Sequence, residues 1–206
     1  MNQSGYFPEQ NPETRKKQFL DSIRACMEKR SRHLETDVRK TYEEQKTEIL
    51  KSFQEAFQAG REQIRAMQEA HVKFPVCYIH LSYLLSGALT GESRLKIDFY
   101  DRRYFADLQE VDCFWDYRML FPEYEQELYE MEAQLRQELP RLTACERQRA
   151  GIYFQTGNFI VLEPVLKALI AEPEIRACLD GCLAAEVQIF YGAYLDQSER
   201  IGRWEL

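Results

Sequence analysis

Apolar residues over 13–71 recur at steps of three and four, the spacing that places them on one face of an α-helix. The stretch opens at Asn11-Pro12-Glu13, with a capping side chain, a proline at the first helical position and an acid at the positive helix end. It contains no proline and a single glycine, Gly60. The pattern therefore predicts one long amphipathic helix over 13–71, preceded by a disordered or extended N-terminus over 1–12.

The middle of this predicted helix carries few apolar residues. Over 28–48 only Leu34, Val38 and Tyr42 are apolar. The whole helix would measure about 87 Å, twice the roughly 43 Å diameter of a compact domain of 206 residues. It is therefore expected either to project from the rest of the chain or to bend near residues 31–36. Because no turn residues mark a bend, a projecting helix is favoured, with a second copy of the chain packed along its sparse stripe as a homodimer.

The next segments predict one buried helix and a small ribbon. Residues 76–89 are apolar almost all round, which favours a buried helix. Apolar and polar residues then alternate over 95–100 and again over 111–119, as they do in half-buried β-strands. These two segments predict a two-stranded antiparallel ribbon at about 94–119. A two-stranded ribbon is unstable alone, so it is expected to lie on helices.

The rest of the chain again shows helical spacing. Prolines, a capping box at Thr143–Glu146 and apolar steps of three and four predict four further helices, over 122–139, 143–155, 164–171 and 173–194. Gly157 and Asn158 are expected to separate the second of these from the third. The predicted fold class is mainly α, with the long N-terminal helix joined to an α-helical domain over 72–206 that carries the small two-stranded antiparallel β-ribbon.

Charge and hydropathy narrow the range of partners. The net charge is −7 and the isoelectric point about 5.2, which argues against binding to nucleic-acid phosphates. The longest apolar region, Phe74–Leu89, has 16 residues, whereas a membrane-spanning helix needs roughly 20. Because Met1–Lys17 also lacks an apolar stretch of signal-peptide length, the sequence predicts a cytoplasmic protein that binds neither nucleic acid nor membrane.

The common catalytic and metal-binding spacings do not occur in the sequence. The six cysteines form no Cys-x-x-Cys pair, the three histidines form neither His-Glu-x-x-His nor Glu-x-x-His, and Gly-x-Ser-x-Gly is absent. Gly87–Ser93 resembles a phosphate-binding loop, but it has one residue too few between its glycines and lacks the lysine. The sequence therefore predicts no catalytic residue, no metal site and no cofactor, and it predicts reduced, mostly buried thiols.

Aromatic and arginine side chains are densest in and around the predicted ribbon. Such side chains anchor interfaces, because they bury a large area and keep a polar group available. On this interpretation Trp115 or Arg118 is exposed; the alternative is that the aromatic rings pack the ribbon on the helices and the charges face water. The candidate binding residues here are Tyr100, Arg102, Arg103, Tyr104, Trp115, Tyr117 and Arg118.

Three titratable residues stand in apolar surroundings. Glu163 lies within an apolar run, Glu186 on the apolar stripe of the last predicted helix, and His80 in the predicted buried helix. A carboxylate in such surroundings has a raised pKa unless it is paired, and perturbed acids cluster at functional sites. The alternatives are a buried salt bridge to an arginine such as Arg118 or Arg149, an edge position that reaches solvent, and a hydrogen-bonded core histidine.

The sequence supports two hypotheses about function. The first is a non-enzymatic protein that binds a protein partner or itself, and it rests on the long sparse helix and the aromatic ribbon. The second is a helical small-ligand-binding or enzymatic domain with a pocket near Glu163, Glu186 or His80. A closed cavity that touches two of these three residues would favour the second hypothesis.

Overall fold

The structure, a computed structural model, describes residues 11–139 and 141–205, without the side chains of residues 88 and 89. Residues 1–10, which belong to the N-terminus expected to be disordered or extended, lie outside the described residues. The described chain forms α-helices and β-strands in the order α1 (Pro12–Glu44), α2 (Lys46–Glu69), β1 (Val76–Tyr83), α3 (Gly87–Thr90), β2 (Arg94–Asp101), β3 (Phe114–Asp116), α4 (Tyr124–Glu138), α5 (Ala144–Ala171), α6 (Pro173–Ala177), β4 (Leu183–Ala193) and β5 (Ser198–Glu205).

All five of these strands form one mixed sheet in the order β3-β2-β1-β4-β5. β1 pairs antiparallel with β2 and parallel with β4, and β5 lies antiparallel to β4 at one edge. The predicted ribbon corresponds to β2 and β3, whose antiparallel register sets Leu95 opposite Trp115. The predicted fold class, mainly α with a two-stranded ribbon, is nevertheless wrong, because three further strands extend this pair into a five-stranded sheet.

The segment predicted as a buried helix over 76–89 contains β1, the central strand of the sheet. Its residues are buried or half-buried on both faces. A strand buried on both faces forms a short apolar run, and periodicity alone cannot distinguish such a run from a buried helix. The helical prediction failed for this reason.

The segment predicted as a long final helix, 173–194, is helical only over Pro173–Ala177. A turn at Gly181, with a φ of 81°, leads into β4. Buried side chains in β4 then alternate at Val187, Ile189 and Tyr191, the period of a strand. The prediction instead followed a three-four spacing that runs from Ile175 through the cysteines to Ile189 and Tyr194, and it overlooked the alternation.

α1 and α2 together occupy the long helix predicted over 13–71. As the sequence predicts, the Asn11 side chain caps α1 and accepts a hydrogen bond from the Glu13 amide at 3.0 Å. The helix is interrupted at Gln45 rather than near residues 31–36. Backbone hydrogen bonds to the preceding and the following turn continue through Gln45, so the junction is a bend and not a loop.

The sparse middle of α1 packs against the chain itself. Leu34 and Val38 are buried, and Tyr42 packs on the same core. α5 approaches α1 closely at Gly157, where a Cβ would lie 2.9 Å from Met27 Cε. The expectation that this stretch is solvated is therefore wrong, and the stripe that suggested a homodimer is covered by the chain's own α5.

α5 is continuous, although the sequence predicts a break after residue 155. Its start is the predicted capping box, in which Thr143 and Glu146 bond reciprocally through side chain and backbone. The close contact with α1 explains why Gly157 stands within the helix. Pro164 has no amide hydrogen, so the carbonyl of Ile160, four residues earlier, lacks its helical hydrogen bond. Both residues are exposed, so water can satisfy the carbonyl and the missing bond costs least there.

The main core lies on one face of the sheet, called the covered face here. The Phe57 ring of α2 meets the Phe99 ring of β2 edge-on, with 5.7 Å between centroids. The Tyr191 hydroxyl of β4 donates to the Phe159 carbonyl of α5 at 2.7 Å. A smaller apolar cluster joins the first half of α1 to α4 and the start of α5. Within the described chain no α-helix packs against the opposite face of the sheet, called the open face, although the short 3₁₀ helix Tyr104–Ala106 lies there.

Candidate functional site

Side chains of the open face come from the positions between the core residues of each strand. Because side chains alternate along a strand, every second residue of β1, β2 and β4 points to this face. His80, Ser82 and Asp98 are buried, although no α-helix of the described chain covers this face. The open-face residues are Tyr78, His80 and Ser82 of β1, Lys96, Asp98 and Tyr100 of β2, and Gln188 and Phe190 of β4.

Residues 102–111, most of the connection from β2 to β3, cover part of the open face and are called the covering segment. Four charged residues hold its base: Arg103 pairs with Asp101 at 2.6 Å and with Asp107 at 3.2 Å, and Asp107 also pairs with the buried Lys73. Burial raises the pKa of Asp101, but hydrogen bonds from Arg103 and backbone amides outweigh it and lower that pKa to about 2. These four residues form the anchor cluster, which ties the base of the segment to the end of β2 and to Lys73 through ion pairs.

His80 lies in a box of aromatic rings, two of which the covering segment supplies. A hydrogen bond of 2.9 Å joins His80 Nε2 to the Tyr104 hydroxyl. The imidazole stacks on Phe190 with 4.9 Å between centroids, and Tyr100 and Phe105 approach it edge-on. Burial lowers the pKa of His80 to about 4, so the ring is neutral at pH 7.

Lys96 and Asp98 form an ion pair beside this box. Lys96 Nζ lies 3.0 Å from Asp98 Oδ1, donates to the Tyr194 hydroxyl at 2.9 Å, and stands 4.4 Å from the centre of that ring. Burial lowers the pKa of Lys96, but the bonds to Tyr194 and Asp98 more than offset this and raise it, so the ammonium stays charged. Burial raises the pKa of Asp98, against the opposing effect of Lys96. Asp98 Oδ2 is shielded from solvent and has no hydrogen-bond partner among the described residues.

A cleft of about 580 Å³ opens beside the ion pair, between the covering segment and the turn at 194–196 that joins β4 to β5. Its rim carries three strongly exposed apolar side chains, Phe105 at 59%, Leu108 at 82% and Leu195 at 75%. Its other lining residues include Asp98, Tyr100, Glu110, Tyr194 and Asp196. The cleft is therefore both aromatic and acidic.

Of the residues predicted from apolar surroundings, only His80 lies at this site. Glu163 stands on α5, on the helical side of the sheet, and pairs with Lys167 one turn later at 2.6 Å. Glu186 is exposed near the start of β4 and pairs with Arg203 at 3.2 Å. The predicted place of Glu186 on a helical stripe is wrong, because its segment is a strand.

The residues predicted from the ribbon divide between core and surface. Tyr100 and Tyr104 belong to the aromatic box around His80. Trp115 and Tyr117 are buried, so for them the alternative interpretation, packing, is correct. Arg118 is exposed beside Asp116.

The two neighbouring arginines stand at the base of the covering segment. The Arg102 guanidinium lies 4.0 Å from the centre of the Phe74 ring, and Arg103 belongs to the anchor cluster. They therefore support the segment that covers the open face, rather than lining the cleft.

Several residues of the site were not among the candidates, and they include Lys96, Asp98, Phe105, Phe190 and Tyr194. Asp98 and Phe105 belong to the dense aromatic and charged stretch 98–105, but only its tyrosines and arginines were selected. Phe190 and Tyr194 were wrongly assigned to a final helix. A search for charged pairs on the polar side of each predicted strand would have selected the Lys96–Asp98 pair.

The described residues form no candidate metal site, and four of the six cysteine thiols are buried. Among the described residues no group of three or more His, Cys, Asp or Glu residues is arranged to hold a metal ion. Cys26, Cys113, Cys178 and Cys182 are buried, and burial raises the pKa of each thiol, which disfavours the reactive thiolate. None of the described helices combines the length and the apolar character that crossing a membrane requires.

Comparisons with known proteins do not assign a function. No protein-family model, curated protein or solved structure matches the chain. The functional argument therefore rests on the geometry and chemistry of the open face.

Proposed function

We propose that this protein is a non-enzymatic binding module that receives the basic surface of a protein partner on the open face of its sheet. The observation that carries the proposal is the aromatic, acidic cleft with exposed Phe105, Leu108 and Leu195 at its rim. A cluster of large exposed apolar side chains around a cleft marks interaction sites in soluble proteins.

The composition of the open face supports a protein partner. Tyrosine and phenylalanine are enriched at protein interfaces, because they offer much area for little conformational entropy. Ring contacts connect Tyr78, Tyr104, Tyr100 and Phe105 in a continuous series here, and Tyr194 lines the cleft beside them. A rigid sheet beneath them gives a preorganised surface, which lowers the entropic cost of binding.

The charge of the cleft supports a basic partner. Four carboxylates, those of Asp98, Asp107, Glu110 and Asp196, line it. Asp107 is paired within the anchor cluster, and Lys96 is shared between Asp98 and Glu110. The protein as a whole carries a net charge of −7. Electrostatic complementarity of this kind steers association and selects among partners.

The surroundings of His80 support a non-enzymatic role. A general base works best with a pKa near the pH at which it operates, whereas burial lowers the pKa of His80 to about 4. Its Nε2 bonds to Tyr104, and aromatic rings surround it. Binding of a small ligand is a second candidate function, because the cleft volume lies within the range of about 300–1,000 Å³ that is usual for such sites.

Site-specific photo-cross-linking tests the proposal. A photoreactive amino acid is placed at Phe105, at Leu195 and, as a control, at Ile160, which is exposed on the helical side of the sheet. In cells of the native host, the two cleft positions are expected to capture the same discrete protein and the control position is not. Capture of the same species from all three positions, or of nothing from the cleft, would contradict the proposal.

Direct binding then checks the captured protein. The purified partner is expected to bind the purified wild-type chain and to bind more weakly when Glu110→Gln and Asp196→Asn are combined, because both carboxylates line the cleft. Asp37→Asn and Glu35→Gln remove two exposed charges from α1 and serve as the matched control. Cross-linking of the purified protein to itself from the cleft positions would instead identify a second copy as the partner.

A further inference from the structure

We propose that the cleft recognises an arginine side chain of the partner, whose guanidinium takes the place of the Lys96 ammonium on Asp98. The inference rests on the proposed function, because it names the group that a basic protein partner presents. It starts from the carboxylate of Asp98, of which only one oxygen has a partner among the described residues.

Asp98 is 4% exposed, and its two oxygens have different surroundings. Oδ1 accepts from Lys96 at 3.0 Å, while Oδ2 has no hydrogen-bond partner in the described part of the chain. An ammonium is a compact charge that satisfies one oxygen at a time, whereas a guanidinium pairs with both oxygens of a carboxylate through two parallel bonds. The buried Oδ2 therefore fits a planar, two-pronged donor that Lys96 cannot supply.

Lys96 can form an ion pair with a second carboxylate. Glu110, an exposed residue of the covering segment, holds a carboxylate oxygen 3.7 Å from Lys96 Nζ. The flexible lysine side chain can shift toward Glu110 when a guanidinium arrives, so that both cations remain paired. Oδ2 is shielded from solvent in the unbound protein, so the arriving guanidinium must open a path to it as Lys96 moves.

The aromatic walls suit the same group. The position of Lys96 over the Tyr194 ring shows that the cleft accommodates a cation above an aromatic face. Guanidinium stacks on aromatic rings more readily than ammonium, because it is planar and more weakly hydrated. Phe105, Leu108 and Leu195 then remain at the rim to contact apolar residues on either side of the arginine.

Peptide titration of the full chain tests the inference. The probe is an acetylated and amidated pentapeptide with one arginine between two leucines, and its matched partners carry lysine or citrulline instead. Amide chemical shifts in β2 and in the turn at 194–196 report binding. The arginine peptide is expected to bind about tenfold more tightly than either matched peptide, because only it has a charged, bidentate donor.

Two substitutions of the ion pair are expected to have opposite effects. Asp98→Asn should weaken binding of the arginine peptide about tenfold, because it removes the bidentate acceptor. Lys96→Met should strengthen binding about threefold, because it removes the competing ammonium. Asp37→Asn, an equal change of charge on the exposed side of α1, should leave the affinity unchanged. If Asp98→Asn does not fold, the direction of the Lys96→Met effect decides.

Several outcomes would overturn the inference. These are equal affinity for the lysine and arginine peptides, weaker binding by Lys96→Met, or binding of free argininamide as tight as that of the peptide, which would indicate a small-molecule site. If these occur while Phe105 still cross-links one discrete partner, the binding module stands and only the arginine is wrong. If the cross-links are also absent, both proposals fail.

Discussion

The two faces of the same sheet are buried by different means. On β2, Leu95, Ile97 and Phe99 point to the covered face and pack under α2 and α5. Lys96, Asp98 and Tyr100 alternate with them and point to the open face. There burial comes from the covering segment and from ion pairs rather than from a helix layer. Both faces share the same backbone pairing, so the difference lies in their side chains and in the segments of the chain that cover them.

This difference separates stability from recognition. Apolar burial on the covered face is insensitive to pH and contributes roughly 25 cal/mol per Å². Ion pairs on the open face contribute less net stability, because desolvation of the charges offsets much of their attraction. Their directional bonds instead hold aromatic rings and carboxylates in fixed positions, which a binding surface requires.

The largest effect expected is loss of packing on the covered face. Phe99→Ala should lower the free energy of unfolding by about 3–5 kcal/mol, because it leaves a cavity beneath Phe57. Phe105→Ala on the open face should lower it by less than about 1 kcal/mol, since that ring is more than half exposed. Urea unfolding of both variants measures the contrast. Equal losses would show that the open face is as firmly packed as the covered one.

The anchor cluster is expected to give the next largest effect. Lys73→Met should cost about 3 kcal/mol, because it removes the buried one of the two cations that pair with Asp107. Amide hydrogen exchange should accelerate in residues 102–111 but not in α2. Lys167→Met, which removes the exposed partner of Glu163, is the control and should change stability by less than about 0.5 kcal/mol. Unchanged exchange in the covering segment would refute the anchoring role.

His80 should make stability depend on pH. Its folded pKa of about 4 lies below the ordinary 6.5, so between these values the unfolded chain binds more protons. Stability should therefore fall as the pH drops from 7 to 5, by about 1–2 kcal/mol from this group. His80→Phe should remove that part of the slope, as measured by denaturation at each pH. Retention of the full slope would assign it to other groups.

The smallest effect is expected at Leu195. This residue is 75% exposed and has a φ of 56°, a left-handed conformation that suits glycine. Leu195→Gly should therefore raise stability slightly, by about 0.5 kcal/mol, as thermal unfolding can measure. The same variant should bind the cross-linked partner more weakly. A clear loss of stability would indicate that Leu195 serves the fold rather than binding.

Part of the candidate site could be predicted from the sequence. Tyr100 and Tyr104 were candidates because aromatic side chains anchor interfaces, and His80 because it is a titratable residue in apolar surroundings. Their neighbours could not be predicted, because His80 meets Asp98 only through the pairing of β1 with β2 and meets Phe190 only through the parallel pairing with β4. Misassignment of β1 and β4 as helices removed both pairings. Trp115 and Tyr117 looked equally suited to binding, and only the tertiary packing, of α2 on Trp115 and of α5 on Tyr117, decided that they are buried.

The sequence by itself determined the features that depend on neighbouring residues. The Asn11 cap, the capping box at Thr143, the long run of α1 and α2, and the strand alternation over 95–100 all follow from steric and hydrogen-bonding preferences within a few residues. Tertiary structure decided everything that depends on what an apolar run packs against. A stretch such as Val76–Tyr83 can bury its side chains as a helix or as a central strand, and the backbone partners that distinguish the two come from β2 and β4, which are distant in the chain. The open face exists because the helices pack on the other side of these strands.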